Sequence, residues 1–157
     1  MKICMVGTGY VGLVSGACFS DLGHSVSCVD KDKDKIDMLN NLQMPIYEPG
    51  LSDLVKKNLS SGRLSFTTNL KYAVSNSDII FLCVGTPTLK KKSSADMQFI
   101  FNAAKEVSKS INKFKIIVTK STVPVCTGDK IEKIILKKKK RNQFEVISNP
   151  EFLREGD

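Results

Sequence analysis

Residues 2–12 read KICMVGTGYVG, and this stretch decides the fold. Lys2 to Val6, KICMV, is a short apolar run of the kind that forms a buried strand. Gly7, Gly9 and Gly12 follow in GxGxxG spacing, and a helix is expected from about Val11 to Leu22. The spacing alone is weak, because glycine is common and many turns hold several. The order strand, glycine turn, helix makes it specific. Gly7 permits a tight turn, Gly9 lets the backbone approach a pyrophosphate, and Gly12 lets the helix pack closely on the strand. The helix N-terminus then offers N–H groups and a favourable dipole to an anion.

The next apolar run, SVSCVD, ends on an acid, Asp30. A carboxylate at that point accepts both ribose hydroxyls of an adenosine and repels a 2′-phosphate. The pair of signals predicts a dinucleotide site for NAD in preference to NADP. Lys31, Lys33 and Lys35 lie next to Asp30 and work against that preference, since cations tolerate a phosphate. The alternative is a glycine turn and a helix-capping aspartate with no ligand.

Further along, short apolar runs alternate with longer segments of helical pattern. KDKDKIDMLNN reads as a short helix, MPIYEPG breaks the pattern, and a helix runs from about Leu51 to Leu59. LSFTT from Leu64 is a strand, and NLKYAVSNS is a short helix capped by Asn69. DIIFLCVG, Asp78 to Gly85, is the strongest strand, and its unbroken apolar character suits burial on both faces of a parallel sheet. Asp96 is positioned to cap a helix reaching about Ser110. FKIIVTKS is a strand, CTGDKIEKIILKKKK a helix, and FEVIS the last strand. The expected fold class is α/β: a Rossmann-type doubly wound, mostly parallel six-stranded sheet with helices on both faces. One domain accounts for the 157 residues, a length sufficient for a full core.

Ligands of such sheets sit outside the carboxyl ends of the strands. Three of the segments found there carry hydroxyls or charges beside a proline: Gly85-Thr86-Pro87-Thr88, Lys120-Ser121-Thr122-Val123-Pro124, and NPEFLRE from Asn149. Asn149 is a good N-cap and Pro150 a good first helical residue. Glu151 and Glu155 then lie one helical turn apart, about 6 Å along the axis, on one face. Paired carboxylates there can accept protons, orient a water or hold sugar hydroxyls. Early glutamates also complement the helix dipole, which is the purely structural alternative.

Composition narrows the class. Hydrophobic residues are 41% and charged residues 25%, as in an ordinary globular domain. No apolar run reaches the length of a membrane helix, and glycines interrupt the N-terminus too early for a signal peptide. A cytoplasmic protein is expected, with no membrane partner. Cys4, Cys18, Cys28, Cys83 and Cys126 form no CxxC pair, and His24 is the single histidine, so no metal site is expected. Cys4, Cys28 and Cys83 lie in apolar runs and read as buried reduced thiols. The net charge of +8 invites a nucleic-acid partner. The lysine runs at 89–92 and 136–142 have no interleaved aromatics for base stacking, so no nucleic acid is expected.

Together GTGYVGLVSGACFSDLGHSVSCVD, PIYEPGL, VGTPT, KSTVP and NPEFLREG resemble the UDP-glucose 6-dehydrogenase family, within the wider UDP-glucose/GDP-mannose dehydrogenase group. The resemblance spans the whole chain. Tyr47 in PIYEPGL and the REG at 154–156 lean towards UDP-glucose. The resemblance implies NAD as cofactor and a double oxidation that turns a sugar-nucleotide C6 alcohol into a carboxylate. It implies that Gly7, Gly9 and Gly12 hold the pyrophosphate, with Tyr10 and Val11 lining the cleft. Asp30 and Lys35 would hold the adenosine ribose. Gly85, Thr86, Pro87, Ser121 and Thr122 would lie along the cofactor, with Thr122 ordering a catalytic water. Glu151 would be the general base, Glu155 would meet cofactor and substrate, and Glu151, Phe152, Leu153, Arg154 and Glu155 would grip the UDP-sugar.

Members of that family are much longer. They add a central dimerising helix and a second α/β domain that completes the UDP-sugar site. Their nucleophilic cysteine and catalytic lysine lie in that added region, and none of the five cysteines here matches the nucleophile. The thiol is needed because the second oxidation acts on a covalent thiohemiacetal. The chain is therefore expected to be a fragment, the cofactor-binding half, inactive alone, of a protein that is a homodimer when complete. Two alternatives stand beside it: a dehydrogenase for another sugar nucleotide (GDP-mannose or a UDP-amino sugar), and a non-enzymatic NAD-binding module.

Overall fold

The computed structural model describes residues 1–87 and 96–150. The elements run β1 (Lys2–Val6), α1 (Tyr10–Asp21), β2 (Ser25–Val29), α2 (Lys33–Asn40), α3 (Leu51–Ser60), β3 (Leu64–Thr67), α4 (Leu70–Asn76), β4 (Ile79–Leu82), α5 (Gln98–Ser110), β5 (Lys115–Thr119), α6 (Thr127–Leu136) and β6 (Phe144–Ser148). A short 3₁₀ turn, Arg141–Gln143, precedes β6. The six strands form one sheet in the order β3-β2-β1-β4-β5-β6, every neighbouring pair parallel. This is the doubly wound fold expected from the sequence.

Side chains on a strand alternate between faces, and the core divides accordingly. Ile3 and Met5 of β1 pack with Leu13 and Ala17 of α1, Ile36 and Leu39 of α2, and Leu51 and Val55 of α3. Cys4 and Val6 face the other way, onto Ala73 and Val74 of α4, Ile100 and Val107 of α5, and Ile131 and Ile135 of α6. Both faces are covered, which is why β1 and β4 read as continuous apolar runs.

Most boundaries shift by a residue or two from the sequence expectation, and three of the differences have a visible cause. β4 stops at Leu82, because its neighbour β1 turns away at Gly7 and leaves one further bond, Cys83 N–H to the Val6 carbonyl at 2.8 Å. α5 starts at Gln98 with Met97 at the N-cap, and the Asp96 carboxylate instead accepts from the Gln98 N–H at 3.0 Å. α6 ends at Leu136, so Lys137–Lys140 follow the helix instead of extending it. Asn69 caps α4 as expected, accepting from the Tyr72 N–H.

Cys4, Cys28 and Cys83 are buried free thiols, whereas Cys18 and Cys126 are exposed. Burial pushes the Cys4 thiol up from 9.0 to about 12, with the Lys115 charge pulling weakly the other way. The folded chain thus keeps a proton that the unfolded chain gives up. That stabilisation is complete below pH 9.0 and is lost as pH rises towards about 12. Urea unfolding at about pH 10.5 is expected to show a loss of about 2 kcal/mol from this thiol relative to neutral pH. Cys4→Ala should remove that part of the alkaline slope. An unchanged slope would show that Cys4 does not titrate on unfolding.

Lys115 is also fully buried, at the start of β5. Its Nζ donates to the Ser75 and Ser77 carbonyls at the C-terminal end of α4, where unpaired carbonyls favour a cation. Burial, then the neighbouring Lys113 charge, hold its pKa below 10.5.

Candidate functional site

The carboxyl edge of β1 and β2 is built by close backbone contact. Gly7 has φ +104°, and its N–H donates to the Val29 carbonyl at 2.8 Å. A Cβ on Gly12 would sit 1.9 Å from the Gly7 carbonyl oxygen, so α1 is pressed directly onto the turn. Gly16, one turn on, does the same against β2: a Cβ there would lie 2.7 Å from Cys28 Sγ. The sequence reading passed over Gly16, although its four-residue offset from Gly12 on the sheet-facing side of α1 was the available signal.

Gly9 is different. It is the N-cap of α1, it is exposed, and a Cβ added to it meets nothing within 4 Å among the described residues. Among the described residues no side chain caps α1, and its first turn has no acidic residue. Among the described residues the positive end of the helix dipole is therefore uncapped, at the one glycine of the turn whose Cβ side is open. That geometry fits a pyrophosphate.

Asp30 stands just past β2 and is tied back to the turn. Its Oδ2 accepts from the Thr8 N–H at 2.9 Å and from the Thr8 hydroxyl at 2.8 Å. Its Oδ1 accepts from the Asp32 N–H at 3.1 Å, and Lys35 Nζ reaches Oδ2 at 3.3 Å. Burial alone would raise its pKa, but the Thr8 and Asp32 N–H groups, the Thr8 hydroxyl and then the Lys35 charge outweigh it. The carboxyl is held below 3.8 and is ionised at neutral pH. Thr8 is fully buried. It was missed in the sequence because it occupies a variable position of the glycine motif.

The three lysines beside Asp30 are each engaged. Lys33 pairs with Asp37, Lys35 with Asp30, and Lys31 Nζ lies 5.6 Å from the Phe99 ring centroid. A 2′-phosphate would meet an ionised carboxylate flanked by cations that already have partners.

The loops after β4 and β5 are fastened to each other. Ser121 Oγ donates to the Val84 carbonyl at 2.7 Å, and Thr86 Oγ1 to the Thr122 carbonyl at 3.3 Å. Gly85, Pro87 and Thr122 are exposed, Thr86 is half-buried and Ser121 is buried. The Pro87 carbonyl accepts from the Asp96 N–H at 2.7 Å. After β6, the Asn149 N–H donates to the Thr119 carbonyl at 2.9 Å. Glu151, Phe152, Leu153, Arg154 and Glu155, with the helix expected from Pro150, lie outside the described residues, as does Thr88.

Val11 is half-buried on α1 beside Tyr10. The Tyr10 phenol donates to the carboxylate of Glu48, in the PIYEPGL segment. Glu48 is a residue to which the sequence reading gave no role. Among the described residues no group of three His, Cys, Asp or Glu is arranged to hold a metal ion, and no helix is long and apolar enough to cross a membrane.

Comparison with known proteins agrees with this geometry. Residues 1–157 match the model of the UDP-glucose/GDP-mannose dehydrogenase family, NAD binding domain. The chain is 54% identical over 156 residues to the UDP-glucose 6-dehydrogenase of Rhizobium meliloti, covering 99% of this chain and 36% of that protein. It is 52% identical to the Bacillus subtilis UDP-glucose 6-dehydrogenase TuaD, covering 99% of this chain and 34% of that protein. Among solved structures it superposes on GDP-mannose dehydrogenase from Pseudomonas aeruginosa with TM-score 0.90 at 40% identity, covering 99% of this chain and 37% of that one. The chain thus spans about 36% of the length of such a relative. The glycine turn, the tethered Asp30 and the family match over all 157 residues converge: the chain belongs to the UDP-glucose/GDP-mannose dehydrogenase family, as its NAD-binding domain.

Proposed function

We propose that the chain is the cofactor-binding part of an NAD-dependent UDP-glucose 6-dehydrogenase, which oxidises the C6 alcohol of UDP-glucose to UDP-glucuronate. The observation that supports the substrate is the 54% identity to the Rhizobium meliloti enzyme of that name. The tethered, ionised Asp30 supports the preference for NAD. Because the relatives are longer, the reaction is proposed for a protein that adds a central helix and a UDP-sugar domain, dimerises through that helix and works in the cytoplasm. One water oxygen is added at C6, two hydrides leave for two NAD in turn, and the protons released pass to base and solvent.

NAD, when bound, supplies the hydride acceptor. Everything else falls to side chains. The N–H groups at the start of α1 take the pyrophosphate past Gly9, and Asp30 accepts the ribose hydroxyls with Lys35 beside it. Gly85, Thr86, Pro87, Ser121 and Thr122 line the path to the reacting end, where Thr122 orders a water. Glu151 acts as general base, Glu155 meets cofactor and substrate, and the run through Phe152, Leu153 and Arg154 holds the UDP-sugar. The covalent step needs a thiol and a lysine from the added region.

A second reading is supported by the GDP-mannose dehydrogenase likeness, with the nucleobase read mostly by the added region. The test is NADH formation by the complete protein with UDP-glucose, GDP-mannose and UDP-N-acetylmannosamine. The highest kcat/KM with UDP-glucose, at two NADH per sugar, is the expected result. A higher value with either other sugar would replace the substrate, and no NADH from any of them would leave an NAD-binding module.

A further inference from the structure

The PIYEPGL segment carries part of the family resemblance, and its glutamate is none of the residues that the proposed reaction uses. Between α2 and α3 the chain crosses back towards the glycine turn. Met44 and Ile46 pack against the core on the α1 face, and Leu51 is buried. Gly50, at φ +77°, turns the chain into α3, and the Leu51 N–H donates to the Glu48 carbonyl at 3.1 Å. The segment is thus fixed on both sides of Glu48. From there the carboxylate receives the phenol of Tyr10, 38 residues earlier and the first residue of α1.

A carboxylate at this place needs a reason. It contacts the first residue of α1, a helix whose N-terminus has no side-chain cap among the described residues and suits an anion, so its charge alone opposes the ligand. Its partner is a neutral phenol, so the contact does not cancel that charge. What the contact does is fix the Tyr10 ring, through a charge-assisted hydrogen bond. Tyr10 directly follows Gly9, the glycine whose Cβ side is open. A ring turned from its place towards Gly9 would take up space beside the phosphate approach.

We propose that Glu48 is a positioning residue of the cofactor site: by holding the Tyr10 phenol it keeps the ring off the phosphate approach at Gly9. This rests on the glycine turn being the NAD site. Ordering one aromatic side chain in advance and keeping it off the approach corresponds to about a three- to tenfold gain in affinity.

The test compares two ligands on the 157-residue chain: NAD, which must enter past Gly9, and adenosine, which has no phosphate and reaches only the Asp30 end. Glu48→Ala and Tyr10→Phe should each weaken NAD about fivefold and leave adenosine unchanged. The double variant should be no weaker than the weaker single one, because both remove the same contact. Glu48→Gln, whose amide oxygen still accepts the phenol, should restore most of the affinity. Unchanged NAD affinity in both single variants, an equal loss for adenosine, or additive losses would each overturn the role of Glu48 while leaving the cofactor site standing. If the unaltered chain bound no NAD, the cofactor reading itself would fall, and this inference with it.

Discussion

Gly12→Ala is expected to cost the folded chain about 3 kcal/mol or more and to abolish NAD binding. The added methyl would lie 1.9 Å from the Gly7 carbonyl oxygen and 3.1 Å from Cys83 Cβ. The first neighbour is backbone, held by the Gly7 N–H bond to Val29. It has no rotamer to change, so α1 must move off β1. A loss of this size is a large share of a domain's total stability of about 5–15 kcal/mol. Gly9→Ala provides the contrast. Its methyl meets no described residue within 4 Å, so thermal unfolding should show a change of about 1 kcal/mol or less. NAD affinity should still fall about tenfold or more if the phosphates approach there as proposed. Equal stability for the two variants would mean that α1 does not rest on the turn as the structure shows.

Asp30→Ala combines two losses that separate experimentally. Thr8 is buried, and both its N–H and its hydroxyl lose their acceptor. Leaving buried donors unpaired costs about 1–3 kcal/mol each, so a destabilisation of about 2–6 kcal/mol is expected in urea. NAD should also bind about a hundredfold more weakly, since two hydrogen bonds from ribose hydroxyls to a charged oxygen are removed. NADP should lose much less, because the repelling carboxylate is gone and Lys35 is released from its 3.3 Å contact. Thr8→Val removes the hydroxyl but keeps the N–H and the carboxylate. It should carry only part of the stability loss and little of the affinity loss. If NAD and NADP weakened equally in Asp30→Ala, the carboxylate would not be what separates them.

The fold was legible in the sequence because local signals and the sheet agreed. KICMV and FEVIS correspond to β1 and β6 residue for residue, each bounded by turn chemistry. Where they diverged, the cause was tertiary. Nothing local in DIIFLCVG says that the strand must end at Leu82, because that depends on β1 turning away at Gly7. The glycines and Asp30 were visible as a motif whose spacing carries its mechanism. Thr8 and Glu48 were not, since each acquires its task only when the chain folds back, from turn to β2 end and from segment to α1. Glu151 and Glu155, legible as a pair on one helical face, lie beyond the described residues.

The hydrogen bond between the Pro87 carbonyl and the Asp96 N–H brings two points of the chain together beside the loop that follows β5. Such a point is a natural port for protein engineering. A guest domain whose own termini are adjacent can be spliced between those residues without prising the sheet apart, because the host is already closed there. A circularly permuted fluorescent protein at that port would sit beside the carboxyl edge of the sheet, where the cofactor is proposed to bind, and a change of its emission on adding NAD would report that occupancy.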